Sequence, residues 1–161
     1  MSTRMRDEYL VFRDTLRAID AASSRLTRDI RTASDALLLS RTRAVRTACS
    51  TALRGVDSAR QDLLESPYAV RASLRARNDV SKAQGELRLA LSQCVTEFDQ
   101  YADLARAASI RDAGSRSASD AVMVGKKFER AAEAFLASLG ITVRPYGAGE
   151  GPNPFASGRA N

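Results

Sequence analysis

The apolar residues of the first 37 positions repeat at alternating steps of three and four. The series contains one polar member, Ser23, and consists of Tyr9, Phe12, Leu16, Ile19, Ser23, Leu26, Ile30, Ala33 and Leu37. On an α-helix this spacing places side chains along one narrow stripe, which is buried when a second stripe packs against it. A strand would instead need alternation at every second residue. The pattern therefore predicts a helix that packs against other helices.

This series is followed by a step of eight residues, from Leu37 to Val45, where seven would keep the register. It then continues through Val45, Cys49, Ala52, Val56, Ala59 and Leu63. One interpretation is a continuous helix over 5–64 whose supercoil is locally altered. The alternative is a break at "LSRTR", with Ser40 or Thr42 as the N-cap of a new helix. We favour continuity because no glycine or proline lies there; a break near Ser40 would give four helices.

Two further boundaries are marked by capping residues. Ser66 followed by Pro67 is typical of a helix start, and it predicts a second helix over about 67–111. Ser117 with Asp120 resembles a capping box that opens a third helix, and Gly140 would end it. We therefore expect an all-α, elongated bundle over 1–139, built on a long antiparallel helical hairpin plus a shorter third helix. Residues 140–161 hold five of the nine glycines and three of the four prolines, which predicts an extended or flexible tail.

If the hairpin turns at Ser66, residue levels along its axis follow by counting. Cys49 then lies opposite about residue 84, roughly 15 Å along the axis from Cys94, so both thiols are expected to be free. The same counting leaves the start of the first helix without a partner. An uncovered apolar stripe at Tyr9, Phe12 and Leu16 would favour self-association.

The polar residues offer little for catalysis. The chain has no histidine, which is the commonest general base and metal ligand, and its two cysteines form no zinc motif. We therefore expect no catalytic residue, no metal, no cofactor and no small-molecule substrate. No apolar run is long enough to cross a bilayer, and the N-terminus does not resemble a signal peptide. We expect a cytoplasmic protein without a membrane role.

The basic residues suggest a second function. The net charge is +6, and all but three of the 25 basic residues are arginines. Between Asp35 and Asp57 there is no acid. An arginine-rich helical face can follow a phosphate backbone or meet an acidic partner, although a GC-rich genome gives the same excess. The residues proposed for these contacts are Arg43, Arg46, Arg54, Arg71, Arg75, Arg77 and Lys82.

The favoured hypothesis is a non-catalytic helical assembly or adaptor protein, either a homo-oligomer or the helical subunit of a larger complex. The alternative is an accessory protein that binds DNA or RNA without sequence specificity. Spaced apolar residues in the tail could anchor it to a partner. The proposed partner interface comprises Tyr9, Phe12, Leu16, Val143, Tyr146 and Phe155. No stretch carries a motif diagnostic of a known family.

Overall fold

The computed structural model describes residues 2–145, with side chains from residue 4 onward. This part of the chain is helical and contains no strand, which confirms the all-α bundle. The helices are α1 (Ser2–Asp29), α2 (Asp35–Leu64), α3 (Leu74–Asp99), α4 (Leu104–Ala107), α5 (Ile110–Ala113) and α6 (Arg116–Ser138). A 3₁₀ segment, Pro67–Arg71, lies between α2 and α3.

Four long helices form the bundle. Along the chain α1 packs on α2, α2 on α3 and α3 on α6, and α6 returns to pack on α1. α2 and α3 are antiparallel, since Asp57 bonds Gln84 while Arg46 pairs with Asp99. α1 and α6 are also antiparallel, since Tyr9 bonds Glu133 while Asp20 pairs with Lys126. The core consists of small and aliphatic side chains with few aromatics, among which the Phe12 and Phe128 rings meet edge to face at 5.5 Å.

The prediction of a continuous first helix is wrong, and so is the position given to the alternative break. The chain turns at 30–34, and the Ser34 hydroxyl caps α2 by accepting a hydrogen bond from the Leu37 amide at 3.2 Å. The buried stripe of α2 then starts at Leu38 and keeps strict steps of four and three through Thr42 and Val45. The step of eight residues arises because Leu37 does not belong to the α2 stripe.

The second predicted helix is shorter than expected at both ends. Ser66 does act as an N-cap with Pro67 next to it, but the helix they open is the 3₁₀ segment. Ser73 caps α3 itself, whose Ala76 amide donates to the Ser73 hydroxyl at 3.0 Å. After Asp99 the chain forms the short helices α4 and α5 instead of continuing to residue 111.

The end of the third predicted helix is confirmed, whereas its N-cap is Ser115 and not Ser117. Gly140 has a φ of +79°, a conformation that favours glycine. Its amide bonds the Ala137 carbonyl, and the Ile141 amide bonds the Leu136 carbonyl. These two bonds are a Schellman motif, and Ile141 is buried beside the end of α6.

The longer connections shift the helices along one another, and this overturns the predicted cysteine spacing. Because the turn between α2 and α3 occupies about nine residues, Cys49 lies opposite Cys94 and their sulfur atoms are 2.8 Å apart. Both are free thiols, as expected. The aromatic residues likewise divide between two levels, since Phe98 packs on Tyr101 while Phe128 packs on Phe12.

Within the described residues, no helix is long and apolar enough to cross a membrane.

Candidate binding surface

The N-terminal residues proposed as a partner interface are not exposed. Tyr9, Phe12 and Leu16 are buried in the chain's own core, packed between α2 and α6. The expectation that they project beyond the bundle is wrong, because the turn at 30–34 folds α2 back along the whole of α1. Phe12 lies 3.5 Å from where a Cβ on Gly55 would stand, and Leu16 lies 3.6 Å from the same point on Gly125. The geometric reason for self-association through this stripe is therefore absent.

The predicted tail contacts are only partly within the described residues. Val143 is half-buried and packs against the core, so it contributes to the bundle and is not an exposed anchor. The backbone carbonyl of the next residue, Arg144, accepts a hydrogen bond from Arg13 at 2.8 Å. Tyr146 and Phe155 lie outside the described residues.

A polar network joins α1 to α6, and sequence reasoning missed it. The Tyr9 hydroxyl donates to the Glu133 carboxylate at 2.6 Å, and Arg13 donates to the same oxygen at 3.2 Å. One turn further, Arg17 donates to Glu129 at 2.5 Å. A visible signal was two arginines four apart on one helix and two glutamates four apart on another.

This network is partly buried, which sets its electrostatics. Arg13 is only 2 % exposed and Glu129 only 6 %. Burial raises the pKa of Glu129, and it also raises the pKa of the Tyr9 hydroxyl well above its usual range. A buried charge without its partner is costly, so the network holds α1 and α6 in one register. Tyr9, Arg13 and Arg17 donate to the two glutamates, and we assign the network a structural role.

The predicted phosphate surface is not one continuous stripe. Arg46 forms an ion pair with Asp99 at the end of α3, and Arg43 donates to the Ala102 carbonyl just after it at 3.0 Å. Arg54 donates to Ser50 and Thr51 of its own helix. The residues near the start of α3 lie at the other end of the bundle, since Arg77 and Asp99 are on the order of 30 Å apart along the helix.

The remaining four basic residues share one end of the bundle with two exposed apolar side chains. Val70 is 75 % exposed and Leu74 is 64 % exposed. We call this set the tip surface, and it comprises Val70, Arg71, Leu74, Arg75, Arg77 and Lys82. Among the side chains described, none of its four basic residues forms an ion pair. Arg77 is half-buried, and its buried Nε has no hydrogen-bond partner.

The local sequence makes the tip surface electropositive. Residues 66–82 contain four basic residues and one acid, Asp79, so their net charge is +3. The first turn of α3 contains no acidic residue, although acidic residues are normally favoured there because the helix dipole is positive at its N-terminus. Arg71 stacks over the Tyr68 ring at 5.4 Å, and Arg75 and Lys82 share a face of α3 because they are seven residues apart.

A cavity of about 370 Å³ lies behind the tip surface, between the start of α1 and the end of α2. Two acids on its wall interact: hydrogen bonds with Arg4 and Asp62 lower the pKa of Glu8. Burial and the hydrogen bond with Glu8 raise the pKa of Asp62 to about 6. In residues 4–145 no group of three or more Cys, Asp or Glu side chains has the arrangement of a metal site.

Comparison with known proteins places the chain in no family: no family model matches it, and neither does a curated protein or a solved structure.

Proposed function

We propose that this chain is a non-catalytic helical adaptor that binds an acidic, amphipathic segment of a partner protein through the tip surface. The observation that carries the proposal is the placement of two exposed apolar side chains, Val70 and Leu74, among basic residues without ion pairs. A partner with acids beside apolar residues would satisfy both kinds of group at once.

The charge of the tip supports this choice of partner. The carboxylates of an acidic segment would complement the guanidinium groups of Arg71 and Arg75, which bind carboxylates through paired donors. Steering by opposite charges also raises the rate of encounter. Elsewhere in the described residues many arginines already have acidic partners, as in the pairs of Arg41 with Asp29 and Arg111 with Asp35. The tip differs from the other exposed arginines in having Val70 and Leu74 exposed beside its charges.

The apolar pair favours protein over nucleic acid. Phosphate contacts use arginine and lysine, and binding to a single strand adds aromatic stacking on the bases. The aromatic side chain that the described residues place beside the tip, Tyr68, is half-buried under Arg71. Val70 and Leu74 would contribute nothing to a phosphate contact, whereas each would bury a large exposed apolar surface against a protein partner.

The double variant V70S/L74S tests this distinction. The probes are a synthetic amphipathic peptide, with Asp and Glu on one face and Leu and Phe on the other, and a short DNA duplex of equal charge. Because burial of a Val and a Leu contributes about 1.5–3 kcal/mol each, we expect the peptide Kd to rise at least roughly tenfold. Fluorescence anisotropy measures both Kd values.

The matched control is V11S/L104S, whose apolar side chains are also exposed but lie away from the tip: Val11 is 67 % and Leu104 is 50 % exposed. It should leave the peptide Kd unchanged. A V70S/L74S protein that binds the peptide as well as the parent contradicts the proposal. Duplex binding that survives V70S/L74S and exceeds peptide binding in the parent favours the nucleic-acid alternative instead.

A charge variant gives an independent check. R71Q/R75Q/K82Q removes three tip charges, and R31Q/R116Q/R130Q removes three exposed charges elsewhere that have no ion pair among the described residues. The first should abolish most of the salt dependence of peptide binding, and the second should retain it. Equal effects of the two variants would show that only net charge matters.

A further inference from the structure

Two thiols on facing helices are in direct contact inside the bundle. Cys49 of α2 and Cys94 of α3 are both fully buried, and the Cys49 thiol donates to the Cys94 sulfur at 2.8 Å. A disulfide bond has a length of about 2.0 Å, so the sulfur atoms need to approach by less than about 1 Å. Their side chains already point at each other across the helix interface.

We propose that Cys49 and Cys94 are a modification site, at which a reversible intrachain disulfide forms when the chain meets an oxidant of the disulfide class. The bond would link α2 to α3 near the middle of the bundle. This site is independent of the tip surface, since Cys94 and Arg75 are nineteen residues apart on α3, or about 28 Å.

The reaction is thiol–disulfide exchange. The Cys94 thiolate attacks one sulfur of the small-molecule disulfide, a mixed disulfide forms, and one thiolate leaves. The Cys49 thiol then loses its proton and attacks the Cys94 sulfur, which releases the second thiolate. Two electrons pass from the cysteine pair to the oxidant, which becomes two thiols after taking up the two protons.

The environment of the pair favours this order of attack. The hydrogen bond from Cys49 lowers the pKa of Cys94. Proton donation to Cys94 and burial raise the pKa of Cys49 above its usual range. Cys94 is therefore the first nucleophile, and Cys49 is the resolving thiol.

Burial of the two sulfur atoms controls the rate of the reaction, whereas their short separation controls its equilibrium. Neither sulfur is exposed, so an oxidant reaches the pair only when the helices open locally. The reaction should be slow in the folded protein and faster in mild denaturant. Once equilibrated, the fold holds the two thiols at a high effective concentration, and this favours the bond.

The first experiment equilibrates the chain with mixtures of reduced and oxidised glutathione, in native buffer and in concentrated guanidinium chloride. Acid quenching and mass spectrometry give the fraction that has lost two hydrogen atoms. Because a disulfide that closes a loop of this length typically stabilises a fold, the equilibrium constant should be at least about thirtyfold larger in native buffer. An equal or smaller constant in native buffer would overturn the proposal.

The second experiment compares thermal unfolding of the oxidised and reduced chains. The oxidised chain should unfold at a Tm on the order of 10 °C higher. C49A and C94A are the controls: each should accept a single glutathione at most and show no loss of two hydrogen atoms. An oxidised chain with a lower Tm than the reduced chain would mean that the bond strains the bundle, and this would also contradict the proposal.

Discussion

At residue 62, a carboxyl group lies at the edge of the core beside Glu8. Burial, together with the hydrogen bond with Glu8, raises the pKa of Asp62 from 3.8 to about 6. The raised pKa means that the folded state binds the proton more tightly than the unfolded state. The stability that this provides is fully present below about pH 4 and is lost as the pH rises through about 6.

We therefore expect D62N to remove this pH dependence. Between about pH 5 and pH 7.5, the free energy of unfolding of D62N should rise by about 1 kcal/mol relative to the parent, a value reduced for the partial exposure of the group. The pKa of Glu8 is lowered, mainly by its hydrogen bond with Arg4, so Glu8 contributes stability that is lost only at more acidic pH. Guanidinium chloride unfolding at several pH values gives the difference. A difference between the two proteins that stays constant over this range would contradict the assignment.

At the scale of single elements, the turn between α1 and α2 depends on one hydroxyl group. The Ser34 side chain accepts from the Leu37 amide, whereas Ser40 is exposed within α2. S34A should lower the free energy of unfolding by about 1 kcal/mol because the cap is lost. S40A should leave stability unchanged or raise it by a few tenths of a kcal/mol, because alanine is the better helix former.

This pair of variants is matched, since both replace a serine of the same segment with alanine. Chemical denaturation of the purified variants measures both effects. The reverse order, with S40A the more damaging, would place the helix start at Ser40 and contradict the turn at 30–34.

The same turn illustrates what could be predicted from the sequence. The three-four spacing gave the helices, and Gly140 gave the end of α6, because these signals act locally. The turn itself contains neither glycine nor proline, so its only sequence signals were Ser34 and the step of eight residues. Once the turn was misplaced, Tyr9 and Phe12 were assigned to the surface. The cysteine contact was missed for a similar reason, because the 3₁₀ segment lengthens the α2–α3 connection.

At the scale of the whole molecule, the first helix belongs to the core of its own chain. The Phe12 ring packs edge to face on Phe128, while its neighbour Val11 is exposed. F12A should lower the free energy of unfolding by about 3–5 kcal/mol, because it leaves a cavity between helices. V11A should change it by less than about 0.5 kcal/mol.

Sedimentation equilibrium on the same two variants distinguishes a core role from an interface role. Substitution of a core residue lowers the stability of the protein and leaves its oligomeric mass unchanged. An F12A protein that keeps the stability of the parent but changes its oligomeric mass would restore the interface prediction for Tyr9, Phe12 and Leu16.

The contact between α1 and α6 also has a consequence for how the molecule is built. Arg13 and Glu133 are 120 residues apart in the chain, yet they share a partly buried hydrogen bond. Joining such distant segments carries a larger loop-closure entropy than joining the neighbours α1 and α2. A nascent chain therefore holds Arg13 on a half-covered helix until α6 has been made. We expect α6 to complete the bundle, so α1, α2 and α3 reach their final arrangement only after α6 has been synthesised.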